Sequence, residues 1–198
     1  MIELLSRWDV WLLLKLNAGV ANAFFDWLMP IATELRNWLP FIVGGLLALA
    51  IFGGGKGRTV VLLSIILIAA TDQLSSHFIK QFIERPRPCH DVEGIRVLYR
   101  CGNTFSFPSS HAVNSMAGAI FFGLIYRRWL WPLCAVSLLV SYSRIYLGVH
   151  YPFDTLAGWV LGATIAWLAV WSYRTRVQPF MNRFSSFRVR AAASKSIG

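Results

Sequence analysis

The chain has 198 residues, of which 56% are hydrophobic and 14% are charged, and its mean hydropathy is +0.54. Soluble domains carry about 25% charged residues, so this composition excludes an ordinary soluble protein and predicts a single membrane-embedded domain. The net charge of +10 does not indicate a nucleic-acid partner. The basic residues lie in short gaps between apolar runs, whereas a nucleic-acid binder clusters them on a polar face with aromatic residues.

Residues 1–37 contain apolar runs that charged and amide side chains interrupt. Neither half offers the clean apolar stretch of about 17 residues that a membrane crossing needs. Tryptophan side chains, which favour the headgroup zone, recur at Trp8, Trp11, Trp27 and Trp38. We therefore expect one or two amphipathic helices in the membrane interface, with a tilted additional span as the alternative. No cleavable signal peptide is expected, because the apolar run is not followed by a small-residue cleavage site.

Five apolar stretches follow and predict an all-α fold, an integral membrane helical bundle of five transmembrane helices, or six if the N-terminal segment also crosses. The predicted spans are residues 39–52, 59–79, 109–126, 129–147 and 154–173. The single domain is thus divided into an interfacial segment at 1–37, a transmembrane core at 38–173 and a basic cytoplasmic tail at 174–198.

The connections between the spans contain the residues that interrupt helices. A glycine-rich turn is expected at residues 53–58, and the Arg-Pro-Arg-Pro segment ends the second span. A polar loop at residues 89–107 holds Cys89 and Cys101. These two cysteines could form a disulfide in an oxidising compartment or remain reduced.

Basic residues are divided unevenly between the two faces of the predicted bundle. One face consists of the first and third turns and the tail, and it carries many basic residues and no acidic one. Its basic residues are Lys56, Arg58, Arg127, Arg128, Arg174, Arg176, Arg183, Arg188, Arg190 and Lys195. The positive-inside rule makes this face cytoplasmic. We expect a multi-pass membrane protein whose other face is extracytoplasmic and is turned to the periplasm if the cell has one.

Three charged stretches lie at span ends, and all three fall on the face predicted to be extracytoplasmic. They are residues 80–88, 108–111 and 143–154. Ionisable residues at such boundaries are costly in a membrane protein and usually mark function. Because three such stretches share one face, we expect them to form one site.

The basic residues of these stretches predict a pocket for phosphate. Lys80, Arg87 and Arg144 supply three positive charges, and two of them are guanidinium forks that match phosphate oxygens. Ser109 and Ser110 stand where a helix is predicted to begin, so their backbone N–H groups and the helix dipole also favour an anion.

Two histidines add reactive groups to this pocket. His150 precedes Asp154 by four residues, so the carboxylate can accept from one ring nitrogen and leave the other free to attack. His111 lies in the first turn of a predicted helix, where it can donate a proton to a leaving oxygen. A nucleophile, an acid and a cationic pocket are sufficient for phosphoryl transfer without a metal or another cofactor.

The three stretches together resemble a known three-part signature. The first matches K-x6-R-P with Lys80, Arg87 and Pro88, the second matches P-S-G-H with Pro108, Ser109, Ser110 and His111, and the third matches S-R-x5-H-x3-D with Ser143, Arg144, His150 and Asp154. This signature is similar to that of the type 2 phosphatidic acid phosphatases, a family that includes undecaprenyl-diphosphate, phosphatidylglycerophosphate and lipid A 1-phosphate phosphatases. The resemblance covers roughly residues 22–173, and Ser110 departs from the usual glycine.

The resemblance implies a metal-independent lipid phosphatase. His150 would form a phosphohistidine, Asp154 would orient it, and His111 would protonate the leaving oxygen and then assist water. The implied phosphate ligands are Lys80, Arg87, Ser109, Ser110 and Arg144.

The implied substrate is a membrane lipid phosphate: undecaprenyl diphosphate, lipid A 1-phosphate, phosphatidylglycerophosphate or phosphatidate. The inferred extracytoplasmic site favours the first two. A lipid phosphotransferase that uses the same site is the main alternative, followed by a non-enzymatic lipid-phosphate binder or transporter. The pattern makes no prediction about oligomeric state.

Further charged residues lie near the stretches. Arg85 and Glu84 are predicted to form an ion pair at the rim, with contact to a substrate headgroup as the alternative. Asp72, inside the second predicted span, is expected to be a buried hydrogen-bonding group and not a proton relay.

Overall fold

The computed structural model describes residues 2–182, and in that range it is helical, without a β-strand. The α-helices are α1 (Ile2–Asn17), α2 (Ala23–Thr33), α3 (Leu35–Phe52), α4 (Gly54–Gln73), α5 (Lys80–Ile83), α6 (Pro88–Asp91), α7 (Ser110–Ile125), α8 (Leu130–Tyr146) and α9 (Pro152–Ser172). Two π-helical stretches, Leu74–Ile79 and Tyr173–Val177, continue α4 into α5 and extend α9. The expected all-α fold is confirmed.

Helix α7 is central to the bundle and packs against α9, α8 and α4. Its contact with α9 is close because α9 has glycines four residues apart on the facing side. A Cβ atom on Gly158 would lie 2.8 Å from the Cβ of Ala112, and one on Gly162 would overlap the carbonyl oxygen of Val113. Small residues at such spacing let membrane helices approach closely.

The helical bundle is that of a multi-pass membrane protein. Within residues 2–182, three helical stretches are long and apolar enough to cross a membrane, and they contain α3, α4 and α9. Helices α7 and α8 are shorter, with 16 and 17 residues. The five predicted spans each coincide with a helix, but the number of crossings stays a prediction.

The glycine-rich segment after α3 differs from the expected turn. Gly53 alone separates α3 from α4, and the other residues predicted to belong to the turn, residues 54–58, form the start of α4. Gly54 has φ +60°, a conformation that favours glycine, and a Cβ on Gly57 would overlap the carbonyl oxygen of Leu49. Glycine therefore permits a tight α3–α4 hairpin here instead of a loop.

Helices α1 and α2 pack on the bundle through α8 and α9. Leu13 and Met29 are buried against the end of α8, and the Asn17 amide donates to the Tyr146 carbonyl oxygen at 2.6 Å. The outer faces expose tryptophans such as Trp8. The interfacial location of residues 1–37 stays a prediction, as does the cytoplasmic tail, which beyond residue 182 lies outside the described residues.

Candidate active site

The three charged stretches meet at a cavity of about 190 Å³ at one end of the bundle. Its lining residues are Ser76, Lys80, Arg87, Thr104, Ser110, His111, Arg144 and His150. Six of them were expected from the sequence as site residues. The expectation that the three stretches form one site is therefore matched by the geometry.

Two predicted site residues lie behind the cavity wall. Ser109 is fully buried, its hydroxyl has no hydrogen-bond partner among the described residues, and its backbone N–H donates to the Asp154 carbonyl oxygen at 3.1 Å. That amide is thus engaged within the protein, and Ser110 supplies the lining hydroxyl. Asp154 is also fully buried and lies next to His150.

Lys80 and Arg87 enter the cavity from the two sides of a chain reversal. The π-helical stretch before α5 leads to Lys80, which is 5% exposed and donates to the Phe105 carbonyl oxygen at 2.7 Å. Glu84 then ends α5 in the left-handed conformation, with φ 51°. Beyond this reversal, the Arg87 guanidinium donates to the carbonyl oxygen and the hydroxyl of Thr104 at 2.7 and 2.8 Å.

Arg144 and His150 are placed by a tight turn after α8. The Arg144 carbonyl oxygen accepts from the backbone N–H groups of Val149 and His150, both at 3.2 Å. Gly148 has φ +77°, and a Cβ there would lie 2.6 Å from the Arg96 carbonyl oxygen, so this turn requires glycine. The Arg144 guanidinium is buried and donates to the hydroxyl of Thr33, at the end of α2, at 2.7 Å.

The His150 imidazole is 2% exposed and lies between Asp154 and Arg87. Its Nδ1 is 3.4 Å from the Asp154 Oδ2, and its Nε2 is 3.3 Å from the Arg87 Nη1. Burial, followed by the positive charges of Arg144 and Arg87, lowers the pKa of His150 well below its ordinary value of 6.5. The imidazole is therefore neutral, and a neutral ring retains a lone pair on one nitrogen.

Two residues that line the cavity, Ser76 and Thr104, were not predicted from the sequence. Thr104 fixes Arg87 from a loop without periodicity, so no signal pointed to it. Ser76 precedes Lys80 by four residues, a spacing that could have placed both on one side of a helix. Its hydroxyl lies 2.9 Å from that of Ser110.

The predicted ion pair of Arg85 with Glu84 is wrong. Arg85 instead pairs with Asp9 and Asp154, each at 2.7 Å. Glu84 has the left-handed conformation that ends α5, so the chain changes direction directly before Arg85. Since α1 lies far away in the sequence, local spacing could not reveal this pairing.

Two other expectations are resolved. Asp72 accepts a hydrogen bond from the Asn114 amide at 2.9 Å, as predicted, but it is half-buried where a buried group was expected. Cys89 and Cys101 are joined by a disulfide, which closes the loop between Arg87 and Thr104.

The structure is a multi-pass helical bundle whose cavity is lined by basic residues and histidines, which are features of membrane proteins that bind phosphate groups. The family model described as the PAP2 superfamily matches residues 60–178. The chain therefore belongs to the PAP2 superfamily, as the three-part signature predicted.

The protein is similar to several curated relatives. It is 35% identical over 176 residues to the lipid A 4'-phosphatase of Bacteroides thetaiotaomicron, with 85% of this chain and 78% of that protein covered. It is 36% identical over 115 residues to the undecaprenyl-diphosphatase of Sulfolobus acidocaldarius, with 58% and 53% covered.

The fold is similar to that of a solved structure, the PAP2-type phosphatidylglycerolphosphate phosphatase of Bacillus subtilis. The TM-score is 0.71, 87% of each chain is covered, and the sequence identity is 24%. The fold of the bundle is therefore that of a transmembrane PAP2 phosphatase.

Proposed function

We propose that the protein is a lipid phosphatase that releases phosphate from a membrane lipid through a phosphohistidine on His150. The observation that carries this proposal is the neutral, buried His150, whose Nε2 lies 3.3 Å from the Arg87 guanidinium at a cavity that Lys80 and Arg144 also line. The relatives are phosphatases that act on lipid phosphates, and the superfamily membership agrees with phosphoric ester hydrolysis.

In the first step, the lone pair on the His150 Nε2 attacks phosphorus. The bond between phosphorus and the leaving oxygen breaks, and His111, which lines the same cavity from the first turn of α7, donates a proton from its imidazolium form to that oxygen and becomes neutral. The negative charge of the bound phosphate favours the imidazolium form of His111 before this step. The Asp154 Oδ2, 3.4 Å from the His150 Nδ1, stabilises the positive charge that the imidazole gains. The products of this step are the dephosphorylated lipid, or a lipid monophosphate from a diphosphate, and the phosphohistidine.

In the second step, water attacks the phosphorus of the phosphohistidine. His111, now without its proton, accepts a proton from the water, and the phosphorus–nitrogen bond breaks. Orthophosphate leaves, and His150 returns to its neutral form. The three basic side chains stabilise the equatorial oxygens in both transition states.

The proposed charge stabilisation comes from the protein itself. Lys80, Arg87 and Arg144 bring three positive charges to the lining of one cavity, and backbone and hydroxyl oxygens hold their side chains in place. Preorganised cations of this kind offset the negative charge of the transferring phosphoryl group. We expect phosphate release without an added metal ion.

The proposed location is the bacterial inner membrane with the cavity facing the periplasm. The basic residues at the opposite end of the bundle, such as Lys56 and Arg127, support this orientation through the positive-inside rule. The substrate would then present its phosphate at headgroup depth on the outer side. Undecaprenyl diphosphate and lipid A fit that side, and both types of substrate occur in the names of the relatives.

The test is phosphate release by purified protein in detergent with EDTA present. The substrates are undecaprenyl diphosphate, lipid A with its 1- and 4'-phosphates, phosphatidylglycerophosphate and phosphatidate. A His150→Ala variant removes the proposed nucleophile, and His77→Ala serves as the matched control, because His77 is exposed and does not line the cavity. We expect release in EDTA from wild type and the control, and none from His150→Ala.

A second readout tests the intermediate. Protein quenched during turnover of ³²P-labelled lipid should carry an acid-labile, base-stable label, which is absent in His150→Ala. Activity that survives in His150→Ala, or the absence of release from every lipid, overturns the proposed function. Transfer of the label to a second lipid instead of water would identify a phosphotransferase.

A further inference from the structure

Arg85 joins two buried carboxylates that belong to distant parts of the chain. Its Nη2 donates to the Asp9 Oδ2 and its Nη1 to the Asp154 Oδ1, both at 2.7 Å. The side chains of Asp9 and Asp154 are 1% and 0% exposed. Buried charges are stable only when they are paired, so each of the three groups depends on the others.

The same two carboxylates hold the backbone that follows His150. The Asp9 Oδ1 accepts from the Phe153 N–H at 2.9 Å, and the Asp154 Oδ2 accepts from the Tyr151 N–H at 2.9 Å. The Arg85 guanidinium lies 3.8 Å from the centre of the Tyr151 ring. The residues directly after the proposed nucleophile are therefore held both by Asp9 of α1 and by the group that Arg85 forms with Asp154.

The charges of this group match the proposed chemistry. Arg85 offsets one of the two carboxylates, so the three side chains together have a charge of −1 when Asp9 and Asp154 are ionised. The Asp154 Oδ2 lies 3.4 Å from the His150 Nδ1, and the imidazole gains positive charge when its Nε2 bonds to phosphorus. A fixed negative charge at the Nδ1 side lowers the free energy of that state.

We infer that Asp9 and Arg85 are positioning residues that orient and charge-balance the His150–Asp154 pair, so that helix α1 contributes to catalysis. This inference rests on the proposed function. Asp9 lies outside residues 60–178, which the family model matches. Its contribution comes from a segment whose sequence pattern indicated only an interfacial helix.

The experiment compares kcat and KM for Asp9→Asn, Arg85→Gln and Arg85→Lys in the full-length protein with the best lipid substrate of the panel. Asp9→Asn keeps the shape of the side chain and removes its charge. The matched control is Asp26→Asn, because Asp26 anchors α2 through a 2.9 Å ion pair with Arg96 and does not contact His150 or Asp154. Thermal unfolding in the same detergent reports on folding.

We expect Asp9→Asn to lower kcat about 10- to 100-fold with KM changed less than twofold, as for a misplaced reacting group. Arg85→Gln should lower kcat at least as much, and Arg85→Lys should restore part of the loss because it keeps the charge. Asp26→Asn should leave kcat within twofold of wild type.

Equal decreases in kcat for Asp9→Asn and Asp26→Asn would overturn the inference, because Asp9 would then be only a structural anchor. Wild-type kcat in Asp9→Asn would also overturn it. If Asp9→Asn does not fold, the two Arg85 variants test the inference instead. Equal kcat values for Arg85→Lys and Arg85→Gln would contradict a role for the charge of Arg85. These outcomes leave the proposed function intact, because that function fails only if His150→Ala retains activity or no lipid is hydrolysed.

Discussion

Replacing Arg87 by lysine tests whether the cavity recognises phosphate by geometry as well as by charge. The Arg87 guanidinium donates to the carbonyl oxygen and hydroxyl of Thr104 at 2.7 and 2.8 Å and to the Val149 carbonyl oxygen at 3.2 Å. It is 7% exposed, and its Nη1 lies 3.3 Å from the His150 Nε2. A lysine keeps the charge but offers one ammonium group in place of this planar fork.

The magnitude follows from the bonds that lysine cannot reproduce. Without the two hydrogen bonds to Thr104 the cation is no longer held in position, and each lost hydrogen bond costs about 1 kcal/mol. Loss of bidentate recognition of the phosphate costs about 1 to 2 kcal/mol more, since the charge itself is retained. A total of about 3 to 4 kcal/mol in transition-state stabilisation corresponds to a decrease of about 150- to 900-fold in kcat/KM.

The assay is the initial rate of phosphate release over a range of lipid concentrations in mixed micelles. Arg100→Lys is the matched control, because Arg100 is an exposed arginine of the same loop. It should keep kcat/KM within twofold of wild type. A decrease of less than threefold for Arg87→Lys would refute the argument, because charge alone would then account for phosphate recognition.

Further predictions concern the charge of His150, the α7–α9 contact and the Cys89–Cys101 disulfide. Because the pKa of His150 is well below 6.5, NMR of ¹⁵N-histidine-labelled protein should show its ring still neutral at pH 5.5, and a titration midpoint near 6.5 would contradict the burial argument. Gly162→Ala should lower the free energy of unfolding in detergent by about 1 to 3 kcal/mol, because the added Cβ overlaps a carbonyl oxygen of α7. Gly118→Ala is the control and should leave the free energy of unfolding unchanged, because a Cβ there meets nothing within 4 Å. Equal effects of the two substitutions would refute the close packing of α7 and α9. Reducing the disulfide between Cys89 and Cys101 should raise KM more than it lowers kcat, because the loop that the disulfide closes holds the Arg87 guanidinium through Thr104. An unchanged KM in the double serine variant would show that the loop keeps its shape without the disulfide.

The fold class and most of the cavity were predictable because their signals are local. Apolar runs predicted the five long helices α3, α4, α7, α8 and α9, and the three charged stretches contained six of the eight lining residues. The short helices α5 and α6 were not predicted. The prolines of the Arg-Pro-Arg-Pro segment correctly predicted an end of the helical stretch that leads from α4 through α5. At residues 53–58 the glycine-rich pattern was misleading, because glycine also permits the close α3–α4 hairpin, which no local pattern distinguishes from a loop.

Contacts between distant segments had no such signal. Arg85 has an acidic neighbour in the sequence, yet its partners come from α1 and α9. Thr33 and Thr104 hold Arg144 and Arg87 from segments that contain no charged motif.

An all-helical membrane protein with the residue types of a phosphate site at its helix ends could be predicted from the amino-acid sequence. Composition, span length and motif spacing are properties of short segments, and the membrane restricts the backbone to few arrangements. The packing of the helices was needed to show which side chains meet. It turned Ser109 away from the cavity and added Ser76 and Thr104 to it. It also connected α1 to His150 through buried charges, because a buried ion pair is satisfied by proximity in space and not by distance along the chain.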